Sequence, residues 1–246
     1  MEELKKKLDS LINELSADKQ KLVLTRLSEL ISIYPFNEYE YITSSLIGLG
    51  KITLEDYEEI RKEYVNRNKY LDLYTISSPT GFGITWAQDH LNKLIPDLIM
   101  PNKKLDKEYK VSTDYDFLLP QDGYFIRVEL KASRATDKKS GKRLYEKALT
   151  FESKLSFDMN FQQIKPKSCD VFVWIAVWKD VIKYWVLSSD EVENNKYYSK
   201  GQHRGNEGEG QLHLNDVNLK DFTKYEIKPE KLKDSIIDAY GRKTKK

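Results

Sequence analysis

Residues 111–132 read VSTDYDFLLPQDGYFIRVELKA, and their pattern is that of two β-strands joined by a turn. Residues 111–119 have the composition of a β-strand, and residues 124–132 have the alternating pattern of a second one. Between them, Pro120 and Gly123 take early and late positions of a four-residue turn, where proline fixes φ and glycine tolerates a positive φ. The stretch therefore predicts a tight β-hairpin.

The second arm of this hairpin sorts its side chains by face, because successive side chains of a strand alternate between the two faces. Four of them share the face that we expect in the core: Tyr124, Ile126, Val128 and Leu130. The opposite face carries Arg127, Glu129 and Lys131. On the first arm, Asp114 and Asp116 share a face, and a tight hairpin can bring Asp116 close to Glu129.

Two carboxylates held this close predict a cation between them. They repel each other unless a positive charge joins them, and hard oxygen ligands with room for water suit Mg²⁺. A lysine beside such an ion can orient or deprotonate an attacking water, or stabilise the charge that develops on a phosphate. Asp116, Glu129 and Lys131 therefore form a candidate catalytic site for phosphodiester hydrolysis.

Context separates the Glu129-Leu130-Lys131 triplet from other acid-x-Lys triplets in this lysine-rich chain. Five others begin at Glu3, Glu108, Asp137, Glu152 and Glu226. None of these five ends a strand of alternating apolar residues that follows an Asp-bearing strand through a tight turn. The alternative interpretation is a solvent-facing ion pair among the three charged residues, which would contribute little stability.

The rest of the pattern predicts an α/β (α+β) fold. Residues 1–75 read as a helical subdomain, in which Pro35 stops one helix and Thr53 with Asp56 forms a capping box that opens another. Residues 76–246 are assigned to a core domain. Its further elements are expected to be a helix over 85–94, a helix over 141–165, a buried strand over 171–178, a strand over 181–187, a loop over 196–211 and a helix over 229–240.

Composition excludes several classes of protein. A single cysteine, Cys169, rules out an internal disulfide, and with three histidines it rules out the usual structural zinc clusters. The N-terminal stretch MEELKKKLDSLINEL lacks the apolar core of a signal peptide. No run approaches the roughly 18 apolar residues of a membrane span. We therefore expect a soluble, cytoplasmic protein without membrane association.

Asp116 followed by Glu129-Leu130-Lys131 resembles the PD-(D/E)xK nuclease superfamily, and within it the type II restriction endonucleases. The resemblance covers about residues 80–190. It implies a restriction endonuclease-like core, a mixed β-sheet flanked by helices, with the N-terminal helices as an added subdomain. It also implies that Asp116 and Glu129 bind Mg²⁺, which Mn²⁺ can replace, that Leu130 adds its backbone carbonyl, and that Lys131 is the catalytic lysine.

The resemblance leaves auxiliary positions open. Tyr115 stands where the family often has proline, and Asp114 competes for the first acidic position. A glutamine on the helix after the hairpin assists some members, which makes Gln163 or Gln162 a candidate. A helix before the hairpin sometimes adds an acid, and Asp89 is the residue in that place, with a solvated helix face as the alternative.

Two segments are candidates for contact with nucleic acid. Between Lys131 and Lys147 there are seven basic and two acidic residues, a net charge of +5. The residues expected to bind phosphates there are Arg134, Lys138, Lys139, Lys142 and Arg143. The glycine-rich segment 196–211 contains side chains that can contact base edges, namely Gln202, His203, Arg204 and Asn206. The alternatives are a solvated basic loop and a plain flexible loop.

These features together predict a type II restriction endonuclease that cuts double-stranded DNA sequence-specifically with Mg²⁺. Cutting both strands of a symmetric site needs two active sites related by a twofold axis, so we expect a homodimer, with residues 1–75 as its surface. A cognate DNA methyltransferase is implied in the same system. The alternatives are a repair or junction-resolving nuclease of the same superfamily, and a non-catalytic DNA-binding or helical interaction protein.

Overall fold

The computed structural model describes residues 2–29, 35–102, 115–201 and 209–244. Several candidate residues lie outside these ranges: Asp114, Gln202, His203, Arg204 and Asn206. The chain forms two compact units, Met1–Lys69 and Tyr70–Lys246. The turn Leu71–Thr75 packs within the second unit, so the boundary follows Lys69 and not residue 75.

The first unit is helical. Its helices are α1 (Glu2–Asn13), α2 (Ala17–Glu29), α3 (Pro35–Gly48) and α4 (Leu54–Arg67). Its core contains Leu8, Ile12, Val23, Leu46, Ile60 and Tyr64. The predicted capping box at Thr53 and Asp56 is present. Pro35 was predicted to stop a helix, but it begins α3. Proline is tolerated in the first turn of a helix, because the N–H that it lacks has no acceptor within the helix there.

The second unit is a mixed α+β structure, as predicted. Its strands are β1 (Phe117–Gln121), β2 (Tyr124–Arg134), β3 (Thr136–Asp137), β4 (Phe157–Ile164), β5 (Val171–Val177), β6 (Ile182–Ser188), β7 (Tyr198–Lys200), β8 (Gly210–Asn215) and β9 (Glu226–Ile227). Its α-helices are α5 (Gln88–Leu94), α6 (Ser189–Glu193) and α7 (Leu232–Thr244). A mixed sheet has the order β1-β2-β5-β6-β9, and an antiparallel sheet has the order β3-β4-β8-β7.

The predicted hairpin forms one edge of the mixed sheet. β1 and β2 pair antiparallel, with Phe117 opposite Val128 and Gln121 opposite Tyr124. The two-residue turn contains Gly123 at φ 82°, a backbone conformation that glycine adopts without steric penalty. β5 pairs parallel with β2 and antiparallel with β6, and each of its residues is buried. The prediction of a strand buried on both faces is therefore confirmed.

The mixed sheet packs a core on each face. On one face, the apolar side chains of the hairpin join helix residues; this core includes Ile126, Val128, Leu130, Val173, Leu91 and Ile236. On the other face, the second sheet covers the first; this core includes Phe172, Trp174, Met159, Phe161 and Leu212. Tyr124 was predicted to lie in the core, but its side chain is 43% exposed and stacks on Tyr240.

The helix expected over residues 141–165 is replaced by turns and strand β4. Phe157, Met159 and Phe161 are buried, while Asp158 and Asn160 between them are only half-buried. That alternation has the period of two that a strand requires. The prediction of a loop over 196–211 was wrong in part, because this segment contains β7 and the first residues of β8.

The remaining predicted elements are present with shifted ends. A π-helical segment, Gly81–Ala87, leads into α5, where a single helix over 85–94 was expected. The C-terminal helix begins as a short 3₁₀ turn at Pro229 and continues through Thr244. Within the described ranges, no helix combines the length and apolar character needed to cross a membrane.

Candidate active site

Asp116 lies one residue before β1, and its carboxylate is fixed by two donors. Its Oδ2 accepts a hydrogen bond from the backbone N–H of Leu130 at 2.8 Å. Its Oδ1 accepts one from Nε2 of Gln88 at 2.6 Å. The Asp116 N–H donates to the carbonyl oxygen of Val128 at 3.2 Å, although Val128 is the register partner of Phe117, so the regular pairing of the hairpin ends at Phe117. The side chain is therefore held at the β2 edge.

Glu129 and Lys131 lie on one face of β2 and form an ion pair. Lys131 Nζ donates to Glu129 Oε1 at 2.5 Å, and the two side chains are 15% and 13% exposed. The Leu130 N–H, which lies between Glu129 and Lys131 in the chain, donates to the Asp116 carboxylate. The charge of Asp116 also acts on Glu129, whose pKa it raises. The predicted convergence of Asp116, Glu129 and Lys131 is thus present.

Burial raises the pKa of Glu129 to about 7, from its usual 4.5. This value also includes an upward contribution from the charge of Asp116 and downward contributions from Lys131 and, more weakly, from Lys165. The two cations do not offset the cost of removing this carboxylate from water beside a second one. An additional positive charge at this position would favour the ionised form of Glu129.

The donor set at this position fits a hard divalent cation. Within the described ranges, no cluster of three or more His, Cys, Asp and Glu side chains lies ready to hold a metal ion. A metal bound here would therefore use the carboxylates of Asp116 and Glu129, a backbone carbonyl and water, as Mg²⁺ sites commonly do. The N–H of Leu130 points toward Asp116. In an extended strand, the carbonyl of the same residue points to the same side, which makes Leu130 the available carbonyl.

Gln88 is a site residue that the sequence interpretation missed. It is the first residue of α5 and reaches Asp116 across 28 positions of chain. The neighbouring Asp89, considered as an auxiliary acid, is solvated on the helix surface and pairs with Lys93 at 2.6 Å. A helix in that place was predicted, but which of its faces meets the hairpin depends on tertiary packing.

Gln162 and Gln163, considered as auxiliary residues on a helix, lie instead on β4, and both are exposed. Gln163 has φ 54°, in the left-handed region that non-glycine residues rarely occupy. The two glutamines are positioned by a β-bulge and not by a helix turn.

The residues predicted to bind phosphates fall into two groups. Arg134 is engaged inside the fold: its Nη1 donates to the carbonyl oxygens of Leu73 and Ile76, each at 2.7 Å, and its guanidinium lies 4.0 Å from the ring centre of Phe82. Burial lowers the pKa of Arg134 to about 10. These contacts favour a packing role. The other four residues are exposed, in the segment between β3 and β4: Lys138, Lys139, Lys142 and Arg143.

No model of a known protein family matches the chain, and no curated protein matches it either. The assignment of a function therefore depends on the geometry of Asp116, Glu129 and Lys131 and on the exposed charges near them.

Proposed function

We propose that this protein is a Mg²⁺-dependent endonuclease of the type II restriction kind, which hydrolyses double-stranded DNA. The observation that carries the proposal is the convergence of Asp116, Glu129 and Lys131 at one edge of the hairpin. Two carboxylates and one lysine are the groups that metal-assisted phosphodiester hydrolysis requires. The pattern also matches the motif on which the resemblance to PD-(D/E)xK nucleases rests.

The three residues divide the chemistry as follows. Asp116 and Glu129 would bind the cation, with the carbonyl of Leu130 beside them, and Mn²⁺ would replace Mg²⁺. When bound, the metal ion supplies Lewis-acid stabilisation of the charge on the phosphate. Lys131 would act on the attacked phosphate, where its ammonium would orient a water molecule and balance negative charge. Gln88 keeps the Asp116 carboxylate in one orientation.

Exposed cations favour DNA as the substrate. Lys138, Lys139, Lys142 and Arg143 lie in one short segment that follows β3. Such a cluster attracts phosphates by charge and is independent of sequence. Arg134 is left out of this group because its donors are engaged within the fold. The proposed product ends are a 5′-phosphate and a 3′-hydroxyl.

The proposal extends to the assembly. Cutting both strands of a symmetric site needs two copies of the site related by a twofold axis, so the working form would be a homodimer. Its interface is assigned to the N-terminal helices. A cognate DNA methyltransferase belongs to the same system in this proposal, and the cytoplasm is where both would act.

One observation favours a second candidate, a non-catalytic protein with a structural hairpin. Both carboxylate oxygens of Asp116 already accept hydrogen bonds from protein donors. A carboxylate oxygen has a further lone pair for a metal, so these bonds do not block a site, but they also suit a purely structural aspartate. A repair or junction-resolving nuclease of the same superfamily is the third possibility.

Digestion of a plasmid of known sequence tests these candidates. Wild-type protein should produce discrete bands with Mg²⁺ or Mn²⁺, and none with excess chelator. Asp116→Ala, Glu129→Ala and Lys131→Ala should each abolish cleavage, while Asp89→Ala, which removes a solvated carboxylate, should cleave like wild type. A smear or a preference for branched DNA supports the repair nuclease. Intact plasmid in all conditions supports the non-catalytic protein.

A further inference from the structure

The outward face of the second sheet is polar. Along β4 and β8, apolar side chains face the core between the sheets, among them Met159, Phe161, Leu212 and Leu214. The opposite face therefore carries Asp158, Asn160, Gln211 and His213. Two contacts order it: Asp158 Oδ2 lies 2.9 Å from His213 Nδ1, and Asn160 Nδ2 donates to Gln211 Oε1 at 3.4 Å.

A β-bulge interrupts β4 at its C-terminal end and enlarges this polar face. Phe161 pairs with Leu212, but the next pair is Ile164 with Gly210, so β4 has one residue more than β8 across this interval. Because of the extra residue, Gln162 and Gln163 are both exposed, while the residues on either side of them are buried. A regular strand would turn one of the two glutamines toward the core.

The bulge also places Gln163 in a strained conformation. Gln163, with φ 54°, is the one non-glycine residue with positive φ that the described part of the chain contains. A glutamine pays a steric penalty there that glycine would not. Strained residues of this kind persist where the surrounding structure holds them, and they are concentrated at functional sites.

Positive charges lie near both ends of β4. The edge strand β3 pairs with β4 and leads into exposed Lys138 and Lys139. At the other end of β4, Lys165 follows the bulge and forms an ion pair with Glu209 at 3.3 Å. β4 also packs against β2, the strand that carries Glu129 and Lys131. DNA bound along β4 with a phosphate at the candidate site would therefore come close to the exposed glutamines.

We propose that the outward face of β4 and β8, centred on Gln162 and Gln163, contacts base edges in the major groove of double-stranded DNA. This inference rests on the proposed function and adds the residues that determine specificity. A glutamine amide donates and accepts at once, which matches N6 and N7 of adenine, and sheets are known to enter grooves as base readers. The target sequence should therefore include an A·T pair opposite this face.

The experiment compares cleavage by wild type and variants of the full-length protein on long DNA of known sequence, followed by sequencing of all ends. The Gln162→Ala and Gln163→Ala variants should lose base preference at one position of the site, with discrimination there lower by about 10- to 100-fold. Gln121→Ala, which removes a glutamine at the end of β1 away from Asp116, should keep the wild-type sites and rates. Lys138→Ala should slow cutting of all sequences alike and leave the sites unchanged.

A second substitution separates specificity from folding. Gln163→Gly relieves the strain at φ 54°, so its Tm should rise by about 2–4 °C while its base preference falls as in Gln163→Ala. If all three glutamine variants cut the same sites with unchanged discrimination, the inference is overturned, while the proposed nuclease function is unaffected. Wild-type cutting without sequence preference would overturn it in the same way. A wild type that does not cut at all would remove the proposed function, and this inference with it.

Discussion

At the scale of single residues, Gln88 orients the carboxylate of Asp116, a proposed metal ligand, through a 2.6 Å hydrogen bond. Groups that hold metal ligands in place commonly change affinity or activity by about 10- to 100-fold when removed. Gln88→Ala should therefore lower the rate of DNA cleavage by about that factor at limiting Mg²⁺. Asp89→Ala, on the next position of the same helix, is the matched control. An identical Mg²⁺ dependence in Gln88→Ala and wild type would exclude this role for Gln88.

Glu129 should make the metal-free protein less stable at high pH. Its pKa is raised to about 7 in the folded protein from the usual 4.5. The folded state therefore holds this proton more tightly than the unfolded state, and stability falls as pH rises between about 4.5 and 7. Above pH 7, the free energy of unfolding is therefore lower by about 3 kcal/mol, because each pKa unit corresponds to about 1.36 kcal/mol. Glu129→Gln, which stays neutral, should remove it.

Denaturant unfolding in the presence of chelator measures this effect. Glu129→Gln should be more stable than wild type at about pH 8 and should match it near pH 4.5. Added Mg²⁺ should narrow the difference at pH 8, because it stabilises the ionised carboxylate of wild type. The same stability difference at both pH values would show that Glu129 is not held in the environment described.

Arg134 and Lys138 lie in the same basic segment but should have different roles, Arg134 in the stability of the fold and Lys138 in the binding of phosphate. Arg134→Ala leaves two carbonyl oxygens, of Leu73 and Ile76, without this donor, so it should cost about 1–3 kcal/mol of stability. Lys138→Ala should leave stability unchanged and lower the salt slope of DNA binding by about 0.9. Unfolding curves and a salt titration of binding measure the two effects. If Arg134→Ala lowered the salt slope of DNA binding without a loss of stability, Arg134 would bind phosphate as the sequence predicted.

At the scale of elements, local pattern was sufficient for the hairpin and insufficient for the connection that follows it. Alternation along residues 124–131 and the turn residue Gly123 specify β2, the hairpin turn and the shared face of Glu129 and Lys131. Pro120, predicted in the turn, lies instead within β1, where it pairs with Phe125. Residues 141–165 contain many residues that favour helices, and these obscured the alternation of β4. The contact between Gln88 and Asp116 and the packing of Arg134 join segments that are far apart in the sequence. A local sequence pattern does not predict such contacts.

The hairpin turn should depend on its glycine. Gly123 has φ 82°, with nothing within 4 Å of an added Cβ, so backbone strain alone would oppose a side chain there. Gly123→Ala should lower the free energy of unfolding by about 1 kcal/mol. Gly141→Ala is the control, because that position is equally open and has no positive φ. Equal effects of the two substitutions in urea unfolding would contradict the turn geometry.

At the scale of the whole molecule, the two units have separate apolar cores. If the first unit forms the dimer surface, the full chain should sediment as a dimer and residues 70–246 as a monomer. The shorter protein should then nick plasmid DNA in place of cutting both strands together, since each copy carries one site. Sedimentation velocity and gel analysis of nicked and linear forms measure this. A dimer of the shorter protein would place the interface in the second unit.

Mn²⁺ binding tests most directly whether Asp116, Glu129 and Lys131 form a divalent-metal site for DNA cleavage. Electron paramagnetic resonance can follow the loss of free Mn²⁺ as protein is added, with cleavage of plasmid measured in the same samples. Wild type and Asp89→Ala should bind Mn²⁺ and cut. Asp116→Ala and Glu129→Ala should lose both, while Lys131→Ala should keep most of the binding and lose cleavage. Mn²⁺ binding that is the same in wild type, Asp116→Ala and Glu129→Ala, or absent from all of them with DNA present, would contradict a metal site at Asp116 and Glu129.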